Sequence, residues 1–176
     1  IWDMQLKAGA TGLTVATVRE AEVAMAHGHT NIFIAYPHVD PKSLKRIQVL
    51  AQIGQVTLMV SNRDGASIVY NFFHANPPCP KILLAIDTGL HREGMPARNL
   101  KTIKFIEELQ NGFKDDFRGI TTHEGYSYKT RRHQTVRSIA LAVRKKMSDI
   151  QKRCKEKGHP VDTIAIGATP TFAFFE

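Results

Sequence analysis

Cysteine is scarce in this chain of 176 residues: Cys79 and Cys154 stand far apart and share no metal-ligand spacing. That excludes a disulfide-stapled scaffold and a zinc module, and the expected setting is reduced and cytoplasmic. Long apolar runs are missing too. No segment approaches the roughly 18–20 unbroken apolar residues that a membrane span needs, so a membrane protein is not expected. No basic stretch leads into an apolar run at the start, so no secretion signal reads there. Neither G-x-G-x-x-G nor G-x-x-x-x-G-K-[ST] follows any β-like run, which removes support for dinucleotide and nucleoside-triphosphate sites. What remains is 43% hydrophobic and 23% charged residues, the profile of one soluble globular domain.

The net charge of +8 is unevenly spread. Between Lys129 and Lys157 stand 11 Lys/Arg against Asp149 and Glu156, and the rest of the chain is close to neutral. Val136, Ile139, Val143, Met147, Ile150 and Cys154 recur in that segment at spacings of three and four. They predict an amphipathic helix whose basic residues face water. An anionic partner is the alternative for such a face, but nucleic acid is not the expected partner.

Short β-branched runs alternate with longer amphipathic stretches. Strands are predicted at Leu13–Val15, Asn31–Ala35, Val56–Val60, Ile82–Ile86, Gly119–Thr121 and Thr163–Ile166. Helices are predicted near Trp2–Ala8, Val18–Ala26, Pro41–Ile53, Asp64–Ala75, Leu100–Asn111 and Arg132–Glu156. Asp40-Pro41 and Asn99 carry helix-start signals, and Gly28, Gly54, Gly112 and Gly158 stand where left-handed stops belong. Most strands are apolar runs rather than alternations, as parallel strands covered by helices require. Six such units suit either a doubly wound sheet or part of an eight-fold barrel, and spacing alone does not choose. Both ends read as cut: Ile1 opens within a predicted helix, and Phe172-Ala173-Phe174-Phe175-Glu176 closes on an apolar run. An internal fragment of a longer protein is the expectation.

Ligands of parallel α/β folds collect beyond the carboxyl ends of the strands. After the fourth strand, Asp87 can tie down the turn Thr88-Gly89-Leu90-His91-Arg92-Glu93-Gly94. There Arg92 either meets an anionic oxygen or pairs with Glu93. After the fifth come His123, Glu124, Tyr126 and Tyr128, suited to proton transfer, to aromatic stacking, or simply to holding the turn. After the sixth, Gly167-Ala168-Thr169-Pro170-Thr171 offers small residues that let backbone N–H groups approach an anion, or forms an ordinary turn. Tyr36 and His38 follow the second strand as pocket lining at best. No metal ligand set reads from this chain.

In order along nearly the whole chain, these pieces resemble the fold-type III pyridoxal-phosphate enzymes. Within that family of alanine racemase N-terminal barrels, they are most similar to the D-threonine aldolase and D-serine dehydratase branch. The resemblance rests on Ala8-Gly9-Ala10, Val15 through Glu22, Ile34-Ala35-Tyr36-Pro37, Asp87-Thr88-Gly89 with Arg92 and Gly94, His123 through Tyr128, and Gly167 through Thr171. It implies a partial (β/α)8 barrel, one cofactor-binding domain over residues 1–176 with six parallel strands, the second to the seventh. It implies pyridoxal 5'-phosphate as cofactor, with Arg92 at its phenolic oxygen and His123 on its ring. Tyr128 would line the site, and Gly167, Ala168 and Thr169 would hold the phosphate. Ala168 stands where relatives usually carry Ser or Gly, so backbone contact survives there but a side-chain hydrogen bond does not.

The same resemblance places the Schiff-base lysine upstream of Ile1 and a C-terminal β domain, with the ligands of a divalent metal, beyond this chain. Lys129 lies at the wrong strand and reads as solvated. The expected function is a lyase acting on a small D-amino acid, of the D-threonine aldolase or D-serine dehydratase type. The alternatives are a racemase on the same barrel, or a non-catalytic pyridoxal-phosphate homeostasis protein. The isolated fragment is expected to be inactive, and a homodimer is expected.

Overall fold

Alternating apolar runs and amphipathic stretches become alternating strands and helices in a computed structural model that describes residues 1–175. Two compact units divide it, residues 1–83 and 84–176, with the boundary inside one strand.

The first unit opens with α1 (Trp2–Lys7), which buries none of its residues. Then follow β1 (Leu13–Val15), α2 (Val18–Ala26), β2 (Asn31–Ile34), α3 (Pro41–Ile53), β3 (Gln55–Val60) and α4 (Arg63–Ala75). The strands run parallel, with Val15 opposite Ile34 and Ile34 opposite Leu58. Each helix starts where its cap dictates. Thr17 and Glu20 form a reciprocal capping box on α2, and the Asp40 carboxylate accepts from the Ser43 N–H ahead of Pro41 on α3. Ile32, Ile34, Leu44, Ile47 and Leu58 are fully buried. Across the outside, Glu22 accepts both hydrogen bonds of Arg46 at 2.6 Å.

The strand β4 (Lys81–Asp87) crosses the boundary. The second unit continues with a two-residue strand β5 (Met95–Pro96), α5 (Leu100–Phe113), β6 (Phe117–Thr122), α6 (His133–Glu156) and β7 (Thr163–Ile166). Its strand order is β4-β6-β7, with β5 beside β4. Its largest fully buried side chains are Leu84, Ile86, Ile106, Ile120, Met147 and Ile150, drawn from both strands and helices. The apolar run of β4 is buried along Ile82–Ile86, which is what its lack of alternation predicts.

The six expected strands are present, and the two-residue β5 joins them where the segment after Arg92 turns back to pair Met95 with Ile86. Two readings of the sequence need correction. Of the four glycine stops, Gly28 and Gly158 are left-handed, but Gly54 is extended and Gly112 lies inside α5. A methyl group on Gly54 would sit 2.6 Å from the Thr30 carbonyl oxygen, so close approach explains that glycine. At Gly112, burial of the following Phe113 outweighs the roughly 1 kcal/mol that a helical glycine costs. Finally, Ala140 rather than Ile139 occupies the buried stripe of α6, since the steps 136, 140, 143, 147, 150, 154 follow its centre.

One glycine governs the last strand. Gly119 has φ +152°, and a methyl group there would sit 2.1 Å from the Thr163 carbonyl oxygen, its partner across β6 and β7. Gly119→Ala is therefore expected to cost about 2–4 kcal/mol. The check is the urea unfolding midpoint, with amide exchange showing the loss first at Thr163–Ile166.

Candidate functional site

Parallel register builds the site. Thr122 is the last residue of β6 and stands opposite Ile166, the last of β7, so His123 and Gly167 leave the sheet side by side. The Gly167 N–H donates to the Thr122 carbonyl at 3.1 Å, and the His123 Nδ1–H donates to the Gly167 carbonyl. A carbonyl only accepts, so this bond puts the imidazole proton on Nδ1 and leaves Nε2 with its lone pair when the ring is neutral.

Beyond His123 the chain makes a 3-10 turn, Gly125–Lys129. A methyl group on Gly125 would sit 2.8 Å from His123 Nε2, so the imidazole lies over bare backbone. At the far end of the turn, the Tyr128 ring stands 6.3 Å from the His123 ring at 39°. The Thr169 N–H donates to Tyr128 Oη at 3.2 Å. His123, Tyr128, Gly167, Ala168 and Thr169 thus form one cluster.

Arg92 has another neighbour. Its guanidinium donates to Glu93, one of the two bonds being 2.6 Å, and its side chain is about half exposed. The segment carrying it nevertheless abuts the cluster, because the Leu90 side chain lies 3.3 Å from a methyl position on Gly125. Asp87 anchors that segment. Its Oδ1 accepts from the Gly89 and His91 N–H groups at 2.8 and 3.0 Å, and its Oδ2 from His91 Nδ1 at 2.8 Å. Burial pushes the Asp87 carboxyl up, but the N–H groups of His91 and Gly89 and the His91 ring outweigh it and hold it below its ordinary value.

Several polar contacts went unnoticed in the sequence. Thr88 and Thr122 share a buried hydroxyl hydrogen bond at 3.1 Å, and Thr122 also donates to the Ile86 carbonyl at 2.8 Å. Lys146, one basic residue among many on α6, donates its ammonium to the Thr88 carbonyl. Its place beside Met147 on the edge of the apolar stripe was the signal. Burial, with the nearby Glu124 and Asp87 charges, pushes the Tyr126 phenol up against the opposing effect of a hydrogen bond with Thr88. Glu124 is fully buried and accepts from the Thr171 hydroxyl. Lys129 is exposed, and Tyr36 and His38 lie in the first unit with their rings 6.0 Å apart. Among the described residues no group of three His, Cys, Asp or Glu side chains is placed to hold a metal ion. No helix among them is long and apolar enough to cross a membrane.

The family model described as alanine racemase, N-terminal domain, matches residues 1–176. D-serine dehydratase of Dictyostelium discoideum is 27% identical over 166 residues, covering 90% of this chain and 42% of the relative. D-threo-3-hydroxyaspartate dehydratase of Delftia sp. (strain HT23) is 28% identical over 170 residues, covering 95% and 44%. The chain therefore spans less than half the length of these relatives. The crystal structure of D-threonine aldolase from Filomicrobium marinum superposes with a TM-score of 0.88 at 21% identity, covering 98% of this chain and 47% of that one. This likeness establishes the fold: six parallel strands with their helices, part of a (β/α)8 barrel.

The Asp87 anchor yields a pH prediction. A carboxyl held below its ordinary value in the folded state lends stability that is complete above the unfolded value, about 3.9, and lost as pH falls through the lowered one. Protection of the Gly89 and His91 amides against exchange should hold at pH 5 and collapse in the acid limb below about pH 4. In Asp87→Ala it should be missing at every pH.

Proposed function

The chain belongs to the alanine racemase N-terminal domain family, and from that membership we propose that it forms the cofactor-holding part of a pyridoxal-phosphate enzyme acting on D-amino acids. Within the family the reading is a lyase of the dehydratase or aldolase type, and the two dehydratase relatives support the first of these. The observation that carries it is the single cluster made by the histidine turn after β6 and the glycine turn after β7.

The residues present fit the cofactor's phosphate. The Thr169 N–H already points at a polar oxygen, that of the exposed Tyr128 side chain, which can give way to an anion. A methyl group on Gly167 would meet nothing within 4 Å, so the backbone there lies open. Gly167 would leave the approach open while its own N–H stays with Thr122, and Ala168 and Thr169 would hold the phosphate through their backbone N–H groups and the Thr169 hydroxyl, with no side-chain donor at Ala168. His123, fixed in plane by its bond to the Gly167 carbonyl, would lie against the pyridine ring, and Tyr128 would wall the site. Arg92 would leave Glu93 to meet the phenolic oxygen as a bidentate donor. When bound, pyridoxal phosphate supplies an electron sink for a bond broken at the substrate Cα. The lysine that bonds to the cofactor and acts at Cα is proposed to lie outside these 176 residues.

Three measurements test the reading. The intact protein, reconstituted with pyridoxal phosphate, should release ammonia or glycine from D-hydroxyamino acids such as D-serine and D-threonine and leave the L isomers untouched. Turnover of L isomers alone would overturn it. The 176-residue chain, treated with pyridoxal phosphate and borohydride, should show no stoichiometric mass adduct. One mapping to Lys129 would overturn the assignment of the lysine. His123→Ala should weaken cofactor binding about tenfold, read by absorbance titration.

A further inference from the structure

We infer that Glu124 is the positioning residue of the phosphate turn, acting through Thr171; this rests on the cofactor reading above. Glu124 is fully buried at the end of β6, directly after His123. Its Oε1 accepts from the Thr171 hydroxyl, while its Oε2 is buried with no hydrogen-bond partner. A carboxyl taken out of water and left with one bare oxygen is costly, and it persists only where it holds something in place.

What it holds is the turn after β7. The Thr171 N–H donates to the Ala168 carbonyl at 3.2 Å, and Thr171 Oγ1 lies 3.1 Å from the same oxygen. Thr171 is itself fully buried. Thr171 therefore closes Ala168–Thr171 into a loop, and Glu124 pins that loop to the end of the neighbouring strand. Ala168 brings no side-chain hydroxyl to a phosphate, so the turn depends on backbone N–H groups whose directions the loop sets. The bond that Glu124 makes goes to the Thr171 hydroxyl and not to those amides. It acts by aiming amides.

Hydrogen counting says which substitution should be tolerated. Thr171 Oγ1 has one hydrogen and two acceptors in reach, the Glu124 carboxyl and the Ala168 carbonyl. A glutamine at position 124 would donate its amide N–H to Thr171 Oγ1 and free that hydrogen for Ala168, keeping the pin. Alanine removes it.

The test compares pyridoxal phosphate with pyridoxal, which lacks the phosphate, by absorbance titration of the intact apoprotein. Glu124→Ala and Thr171→Val should each weaken pyridoxal phosphate about 10- to 100-fold while changing pyridoxal less than about threefold. Glu124→Gln should restore most of the phosphate-dependent affinity. Amide exchange in the apoprotein should quicken at Ala168–Thr171 in the two weakened variants, with far-UV circular dichroism unchanged. Equal losses for both ligands, or unchanged affinity in Thr171→Val, would overturn the positioning role and leave the cofactor reading intact. A wild-type protein that binds neither ligand would sink the cofactor reading and this inference with it.

Discussion

The site depends on the parallel register of β6 and β7. Pairing Thr122 with Ile166 fixes where both strands end, and everything functional in the second unit hangs from those two ends. A shift of one residue would turn each strand's side chains to the opposite face and separate His123 from Gly167. Gly119 permits the close approach that this pairing needs, and the Gly167 N–H carries it one residue past the strands by donating to Thr122. The backbone thus decides the geometry before any side chain contributes.

Side chains then lock what the register has placed. His123 holds the Gly167 carbonyl, Tyr128 receives the Thr169 N–H, and Glu124 holds Thr171. These three bonds run between the same two turns, and they restrict both turns more tightly together than any one would alone. Asp87 does comparable work one strand away, closing the bend that carries Arg92. A site made of short turns after strands gains its rigidity in this way, since turns have little packing of their own.

Much of this was legible in the residues. Apolar runs without alternation announced covered parallel strands, and the bounds of β1, β7, α2 and α3 agree with the sequence reading residue for residue. Caps at Asp40 and Asn99 were readable because a side-chain oxygen next to a helix start has one obvious use. The resemblance implied that His123 and Gly167 serve one cofactor but not that they bond to each other, since nothing local in either segment names a partner 44 residues away. The bond between Glu124 and Thr171 was invisible for the same reason. A buried carboxylate and a threonine look, in sequence, like two surface residues, and only the sheet register makes them neighbours. Gly54 misled because a glycine after a helix serves equally for a left-handed turn or for close approach.

The basic segment shows how composition is divided between fold and surface. The stripe from Val136 to Cys154 is buried, while Arg144, Lys145, Lys152 and Lys155 are exposed. Lys146 sits between these faces and spends its charge on the Thr88 carbonyl, next to the bend anchored by Asp87. Its ammonium also stands 3.9 Å from a methyl position on Gly89, beside the Tyr126 ring, so it is directed toward that bend instead of joining the outer face. The concentration of positive charge in one helix therefore follows from its having one face in the core and a wide face in water, with a single lysine at the border drawn inward. Had the lysine stood one position further on, it would have fallen on the buried stripe in place of the fully buried Met147, where taking a charge out of water is costly.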